Sequence, residues 1–154
     1  SHLLHPPLLD EVGLSSALRW YIEGFEQRSK ISASLEMPDR LDRYPAEIEM
    51  AIFRAVQECL TNIHRHSGTS TCSIKIFLQQ GNLHVEIRDE GKGIPREKRV
   101  MIAKSGGGVG LRGMQERIRQ LGGTLTIRSS DAGTAVEVIL PIAQAIVTQT
   151  EGAA

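Results

Sequence analysis

The sequence predicts an α/β fold in which helices cover one face of a β-sheet. Apolar residues recur at helical spacing in some segments and at every second position in others. Several alternating segments are separated by short turns, which indicates antiparallel hairpins. At 154 residues, 40% of them hydrophobic and 23% charged, the chain has the composition of one globular domain. Helices interspersed with hairpins favour a layered structure.

The helices are predicted from apolar stripes and from the residues that end them. A proline tolerated in a first turn precedes the second stripe, and a glycine pair ends the last one. The predicted helices start near Asp10, run from Pro45 to about His66, cover 96–103, and extend from Leu111 to Gly122-Gly123.

Five segments with a period of two predict the strands. They are Ile31–Met37, Cys72–Leu78, Leu83–Ile87, Leu125–Ile127 and Val136–Leu140. The tail from about Gln144 is small and polar, and we expect it to fray.

Charge and composition exclude several classes of function. Basic and acidic side chains number 18 each and aromatics make up 4%, which leaves little for a nucleic-acid surface. The sequence has no apolar run of membrane-spanning length and no signal-peptide pattern. Cys59 and Cys72 fit no zinc spacing, and a disulfide framework is not expected. The sequence therefore predicts a soluble, cytoplasmic domain without direct nucleic-acid binding.

Asp89 and Thr134 are polar residues at positions that predict burial. If the strand continues past Ile87, Asp89 lies on its apolar face, where a carboxylate is costly unless it finds donors. It would then serve as the floor of a ligand pocket; otherwise, Asp89 simply opens a turn. Thr134 shares the alternation of Val136 and Val138, although a β-branched residue in a strand needs no functional reason.

The long second helix carries three polar residues along one edge. Glu58, Asn62 and Arg65 are spaced so that they flank the apolar stripe. An acid, an amide and a guanidinium there could activate a proton-bearing group, hold a metal and bind phosphate. The alternative is a solvated helix edge. His64 and His66 face different sides, which disfavours a metal site built from both.

Glycine occupies five of the eight positions from 106 to 113. The sequence there contains a literal G-x-G-x-x-G at 108–113, but no convincing strand precedes it, which excludes a Rossmann dinucleotide site. Free backbone N–H groups at the start of the following helix still predict a phosphate site.

Four motifs in order resemble the N, G1, G2 and G3 boxes of the GHKL ATP-binding superfamily, which includes sensor histidine kinases, gyrase and Hsp90. They are Glu58-x-x-x-Asn62, Asp89-x-Gly91-x-Gly93, Gly108-x-Gly110-Leu111 and Gly133-Thr134. The flanking segments 4–11, 60–67 and 110–117 resemble the histidine kinases that pair with LuxR-type response regulators. The resemblance implies a two-layer α/β sandwich with a mixed, largely antiparallel sheet.

The resemblance also implies a role for each matching residue. Glu58 would be the general base, Asn62 would hold Mg²⁺, and residues 96–110 would form a mobile lid over ATP. Asp89 would bind the adenine amino group, and Thr134 would support the ring from the far side. The remaining nucleotide-binding residues would be Arg65, His66, Gly91, Gly93, Ile94, Gly108, Val109, Gly110 and Leu111.

The resemblance divides the chain and supplies its partners. Residues 1–29 would be the end of the dimerisation helix and a connecting helix, 30–142 the catalytic domain, and 143–154 a tail. None of the five histidines is followed by an acidic residue, as the phosphoacceptor of these kinases normally is. The chain would thus be the catalytic fragment of a homodimeric kinase that uses ATP and Mg²⁺. It would phosphorylate a histidine on its own dimerisation domain and serve a LuxR-type response regulator. The alternatives are a GHKL ATP-hydrolysing clamp and a non-catalytic nucleotide-binding module.

Overall fold

The computed structural model describes residues 7–91 and 109–142, which form three α-helices, one π-helical turn and five strands. In chain order these are α1 (Pro7–Ser29), β1 (Ser32–Glu36), α2 (Ala46–Asn62), the π-helical turn (Ile63–Ser67), β2 (Thr71–Gln79), β3 (Asn82–Asp89), α3 (Val109–Gln120), β4 (Thr124–Ser130) and β5 (Gly133–Pro141). The predicted helix over 96–103, most of the predicted lid, the first six residues and the predicted tail lie outside the described residues.

The five strands form one sheet in the order β1-β2-β3-β5-β4. Strand β1 pairs with β2 in parallel, and the other three pairings are antiparallel. The predicted mixed, largely antiparallel sheet is therefore confirmed. The five predicted strands all form, although β4 and β5 run up to three residues beyond their expected bounds.

The core lies between the helices and one face of the sheet. Alternate residues of β3 (Leu83, Val85 and Ile87) are at most 1% exposed, because a period of two places them all on the helix side. Burial of each such side chain contributes about 1.5–3 kcal/mol. The apolar residues of α1, among them Leu18 and Phe25, belong to this same core. The proposed division of the chain at residue 29 stays a prediction.

Helix α1 differs from its prediction at its start. It begins at Pro7 rather than Asp10 and is interrupted at Gly13, whose φ of 85° is left-handed. The Arg43 side chain lies over this break: its Nη2 donates to the Asp10 carbonyl at 3.1 Å, and its Nε to the buried Glu49 carboxylate at 3.2 Å. One guanidinium thus ties the start of α1 to α2. In the described ranges no helix is both long and apolar enough to cross a membrane.

The second helix also departs from its prediction, which was a regular α-helix to His66. Helix α2 ends at Asn62, and the chain continues as the π-helical turn. Ser67 Oγ donates to the Ile63 carbonyl at 2.7 Å and accepts the Thr69 N–H at 3.1 Å, and Gly68 ends the turn with a φ of 70°. A π turn is wider than an α turn, so Arg65 and His66 are rotated away from the positions that regular helical spacing predicts.

Candidate functional site

The site is built on a row of side chains that crosses the sheet on its helix-facing side. Strand register aligns one residue from each strand, in the order Ala33, Cys72, Asp89, Thr134 and Ser129. These residues lie near the end of the sheet where β3 finishes and β5 begins. Below them along the strands the same face is apolar, so this row forms a polar floor at the rim of the core.

Asp89 occupies the centre of this floor. Strand β3 continues to Asp89, whose side chain joins the buried face and leaves the residue 8% exposed. The predicted orientation is confirmed, and the alternative of a turn that starts at Asp89 is excluded. Its Oδ1 accepts the Gly91 N–H at 2.9 Å, the one donor to this carboxylate within residues 7–91 and 109–142. A buried carboxylate with so few donors has acceptor capacity left for a ligand.

Thr134 lies directly across from Asp89 and is half-buried, as its alternation predicted. Its hydroxyl oxygen is 3.0 Å from that of Ser129 on β4. Sequence reasoning missed Ser129, although it shares the alternation of Leu125 and Ile127. At Gly133 the φ is 135°, and a Cβ there would overlap the Asp89 carbonyl oxygen. Glycine therefore lets β5 start close against the end of β3.

Helix α2 supplies the second side of the site. Glu58 and Asn62, one turn apart, are both half-buried. A Cβ atom placed on Gly110 would overlap the Glu58 carboxylate. The Glu58 side chain therefore lies against the first turn of α3, where backbone N–H groups have no intrahelical partner. The structure brings together Glu58 and Gly110, which the sequence placed in two separate motifs.

The two sides meet where the chain leaves β3. A Cβ on Gly91 would overlap the carbonyl oxygen of Ser67, the residue that ends the π-helical turn. Only a glycine permits this approach of backbone to backbone. The contact fixes Asp89 relative to the end of the helix that carries Glu58 and Asn62.

The remaining predicted residues are not all part of this arrangement. Arg65 and His66 are exposed on the π-helical turn. Leu111 is half-buried on α3 and Val109 begins that helix. Gly93, Ile94 and Gly108 lie outside the described residues.

A cleft of about 600 Å³ opens at the same end of the sheet. Asp89, Gly133 and Thr134 line it, but its other walls include the row that faces away from the helices, with Arg88, Ala135 and Arg128. Neither Glu58 nor Asn62 lines it. The cleft therefore shares the floor of the site without coinciding with it.

Both thiols are free, buried and protonated near neutral pH. Burial, and secondarily Glu58, raises the pKa of Cys59 to about 12. Burial, then the Asp89 and Glu26 carboxylates, raises the pKa of Cys72 to about 11. A protonated thiol is a poor nucleophile and metal ligand, so Cys72 acts here as a small packing residue beside Asp89.

Comparison with known protein families identifies this arrangement. Residues 47–144 match the family described as "Histidine kinase-, DNA gyrase B-, and HSP90-like ATPase". The chain belongs to this ATPase family. The match covers α2 from its second residue, strands β2 to β5 and α3, whereas α1 and β1, with Ala33 of the floor, lie before it.

Curated relatives within the ATPase family are named as sensor kinases. The chain is 36% identical over 141 residues to sensor histidine kinase MctS of Rhizobium johnstonii, covering 92% of this chain and 30% of MctS. It is 33% identical over 140 residues to the oxygen sensor histidine kinase NreB of Staphylococcus carnosus, covering 90% and 39%. The chain thus spans about a third of the length of these relatives.

Solved structures share the fold of this ATPase family member. The histidine kinase domain of the Erythrobacter litoralis EL346 blue-light activated kinase superposes with a TM-score of 0.74 at 23% identity, over 87% of this chain and 63% of that one. The mycobacterial sensor histidine kinase MprB gives a TM-score of 0.62 at 20% identity, over 83% and 93%. The predicted two-layer sandwich of the GHKL type is confirmed.

The contact between Glu58 and Gly110 can be tested by comparing the thermal stability of variants at positions 110 and 113. Gly113, on the same helix, has room for a side chain, because a Cβ placed there would meet no heavy atom within 4 Å. Gly113→Ala should stabilise α3 by up to about 1 kcal/mol through helix propensity and raise the melting temperature by about 2–4 °C. Gly110→Ala should give no such gain, because its methyl group displaces the Glu58 carboxylate. In a Glu58→Ala background, Gly110→Ala should recover the gain, as calorimetric melting of the four variants would show. A gain from Gly110→Ala alone equal to that from Gly113→Ala would contradict the contact.

Proposed function

We propose that this chain is the ATP-binding catalytic domain of a two-component sensor histidine kinase. It would transfer the γ-phosphoryl group of ATP to a histidine on the dimerisation domain of the same kinase. The buried Asp89 carboxylate carries the proposal. This carboxylate only accepts hydrogen bonds, and within the described residues one backbone N–H donates to it at the rim of an apolar core, which suits the amino group of adenine.

The phosphates would lie between α2 and the start of α3. Because α3 begins at Val109, the backbone N–H groups of Gly110 and Leu111 have no partner within the helix and would bind phosphate oxygens, and the helix dipole favours negative charge there. Arg65 and His66 would approach from the π-helical turn. Val109, Gly108 and the rest of the glycine segment would complete the site, with Gly93 and Ile94 near the base.

Asn62 would hold Mg²⁺ through its amide oxygen. Within the described ranges no three His, Cys, Asp or Glu side chains could hold a metal ion together. A single amide oxygen nevertheless fits magnesium, which in nucleotide sites takes its other ligands from phosphates and water. When bound, the ion would neutralise charge on the phosphates.

Glu58 would act as the general base. It lies one turn before Asn62 and against the first turn of α3, so the carboxylate is close to both the proposed metal ligand and the proposed phosphate-binding turn. It would accept the proton that the histidine imidazole loses as its nitrogen bonds to the γ-phosphorus. The bond from that phosphorus to the oxygen bridging the β- and γ-phosphates breaks in the same step, and ADP leaves.

The proposal includes partners and a location. The kinase would work as a homodimer, with this domain in the cytoplasm and acting on the dimerisation domain of the same kinase. The phosphoryl group would then pass to a LuxR-type response regulator, the class suggested by the segments that flank the motifs.

Asp89→Asn directly tests the proposed contact between Asp89 and the amino group of adenine. The amide can still accept the Gly91 N–H, so the turn survives, but it places a donor where the carboxylate accepted. The free energy with which the isolated domain binds ADP should become about 1–3 kcal/mol less favourable, as measured by titration calorimetry. Glu90→Gln, a change in the exposed neighbour, is the matched control and should bind as the wild type does. An unchanged ADP affinity in Asp89→Asn would rule out a contact between Asp89 and adenine.

Glu58→Gln tests the chemical step. A general base contributes about 10²–10⁴-fold in rate and little to ground-state binding. In the full-length kinase, with chemistry shown to limit the rate, this variant should transfer phosphate far more slowly while its ATP affinity stays nearly unchanged. Glu47→Gln, an exposed change on the same helix, should transfer normally. Wild-type transfer by Glu58→Gln would show that Glu58 is a solvated helix residue and not the base.

A further inference from the structure

Ser129 and Thr134 form a hydroxyl pair beside Asp89. The β4–β5 register places them opposite each other on the helix-facing side, with their oxygens 3.0 Å apart. Ser129 Oγ can also donate to the Gly133 carbonyl oxygen, but at 3.5 Å this is the outer limit for a hydrogen bond, and Thr134 Oγ1 is the nearer acceptor for the same proton. Thr134 pairs with Asp89 on its other side, so the three side chains follow one another across the sheet.

The direction of the hydrogen bond between these hydroxyls decides what Thr134 offers a ligand. Each hydroxyl carries one proton. If Ser129 donates to Thr134, the Thr134 proton is left to point at another acceptor. If Thr134 donates to Ser129, only its lone pairs remain, and it becomes an acceptor like Asp89.

An adenine ring bound over Asp89 requires that Ser129 donates and Thr134 accepts, which leaves the Thr134 proton for the ring. The amino group of adenine is flanked by ring nitrogens N1 and N7, and both of these accept hydrogen bonds. A carboxylate that accepts from the amino group must therefore be accompanied by a donor next to it. A 6-oxo purine presents a carbonyl oxygen in place of the amino group, so it mismatches the carboxylate. Its N1 carries a proton, so a donor placed on the N1 side would be mismatched as well, whereas N7 accepts in both kinds of purine.

We infer that Ser129 is a positioning residue for base selection. Its hydroxyl donates to Thr134 Oγ1, and Thr134 in turn donates to the purine ring nitrogen on its side of the amino group. Asp89 and Thr134 together then present an acceptor and a donor, the complement of adenine. This inference rests on the proposed function and adds to it a residue outside the four motifs.

The test combines removal of the Ser129 hydroxyl from the protein with removal of one ring nitrogen from the nucleotide. ADP, 1-deaza-ADP and 7-deaza-ADP are titrated calorimetrically into the wild type, Ser129→Ala and Ser129→Thr. Ser129→Ala should weaken ADP binding about 2- to 10-fold, the range for one neutral hydrogen bond. The same variant should weaken by the same factor the binding of the analogue that keeps the contacted nitrogen. Binding of the analogue that lacks this nitrogen should not change. Ser129→Thr, which keeps the hydroxyl and suits a strand, should restore ADP binding.

Ser73→Ala is the matched control. Ser73 lies on the same sheet in the row that faces away from Asp89, so this variant should bind all three nucleotides as the wild type does. Equal losses for ADP and both analogues in Ser129→Ala would show a merely structural role and overturn the inference. Unchanged ADP affinity in Ser129→Ala, with the wild type binding ADP, would also overturn it while leaving the proposed function intact. If the wild type binds no ADP, the proposed function fails, and the inference fails with it.

Discussion

The alternation of side chains along β3 is the constraint on which the site depends. Three apolar residues fix which face of this strand is buried, and a period of two then carries Asp89 onto the same face. A slip of one residue would put the carboxylate into solvent and the apolar residues with it. The core therefore enforces the position of Asp89, and the neighbouring strands add Cys72 and Thr134 beside it in a fixed register.

Two close contacts at glycines connect α2 and its π-helical turn to the floor and to α3. Gly91 lies against Ser67 at the end of the π-helical turn, and Gly110 lies against Glu58 near the end of α2. The backbone contact with Ser67 requires a glycine, whereas the Glu58 carboxylate would have to move aside for any side chain at position 110. Each contact joins parts of the chain more than twenty residues apart. The buried carboxylate, the polar edge of α2 and the first turn of α3 thus hold a common geometry within the described residues.

The fold could be predicted from sequence because its periodicities are strong and local. The five strands, the helix face of the sheet and the orientation of Asp89 all follow from spacing of apolar residues. The break at Gly13 and the π-helical turn could not be foreseen, since they depend on tertiary partners: Arg43 over the glycine, and Ser67 bonded to Ile63 and Thr69. Ser129 was missed for a different reason. It lies opposite Thr134 across the β4–β5 hairpin, but the predicted β4 stopped at Ile127, two residues before Ser129.

A crystal structure of the domain with Mg²⁺ and a non-hydrolysable ATP analogue would show whether the nucleotide binds over Asp89. We expect the adenine amino nitrogen to lie within hydrogen-bond distance of an Asp89 carboxylate oxygen. We also expect a metal ion at Asn62 and phosphate oxygens at the first turn of α3, beside Gly110. A nucleotide bound instead on the other face of the sheet, against Arg88 and Arg128, would contradict this assignment of the site.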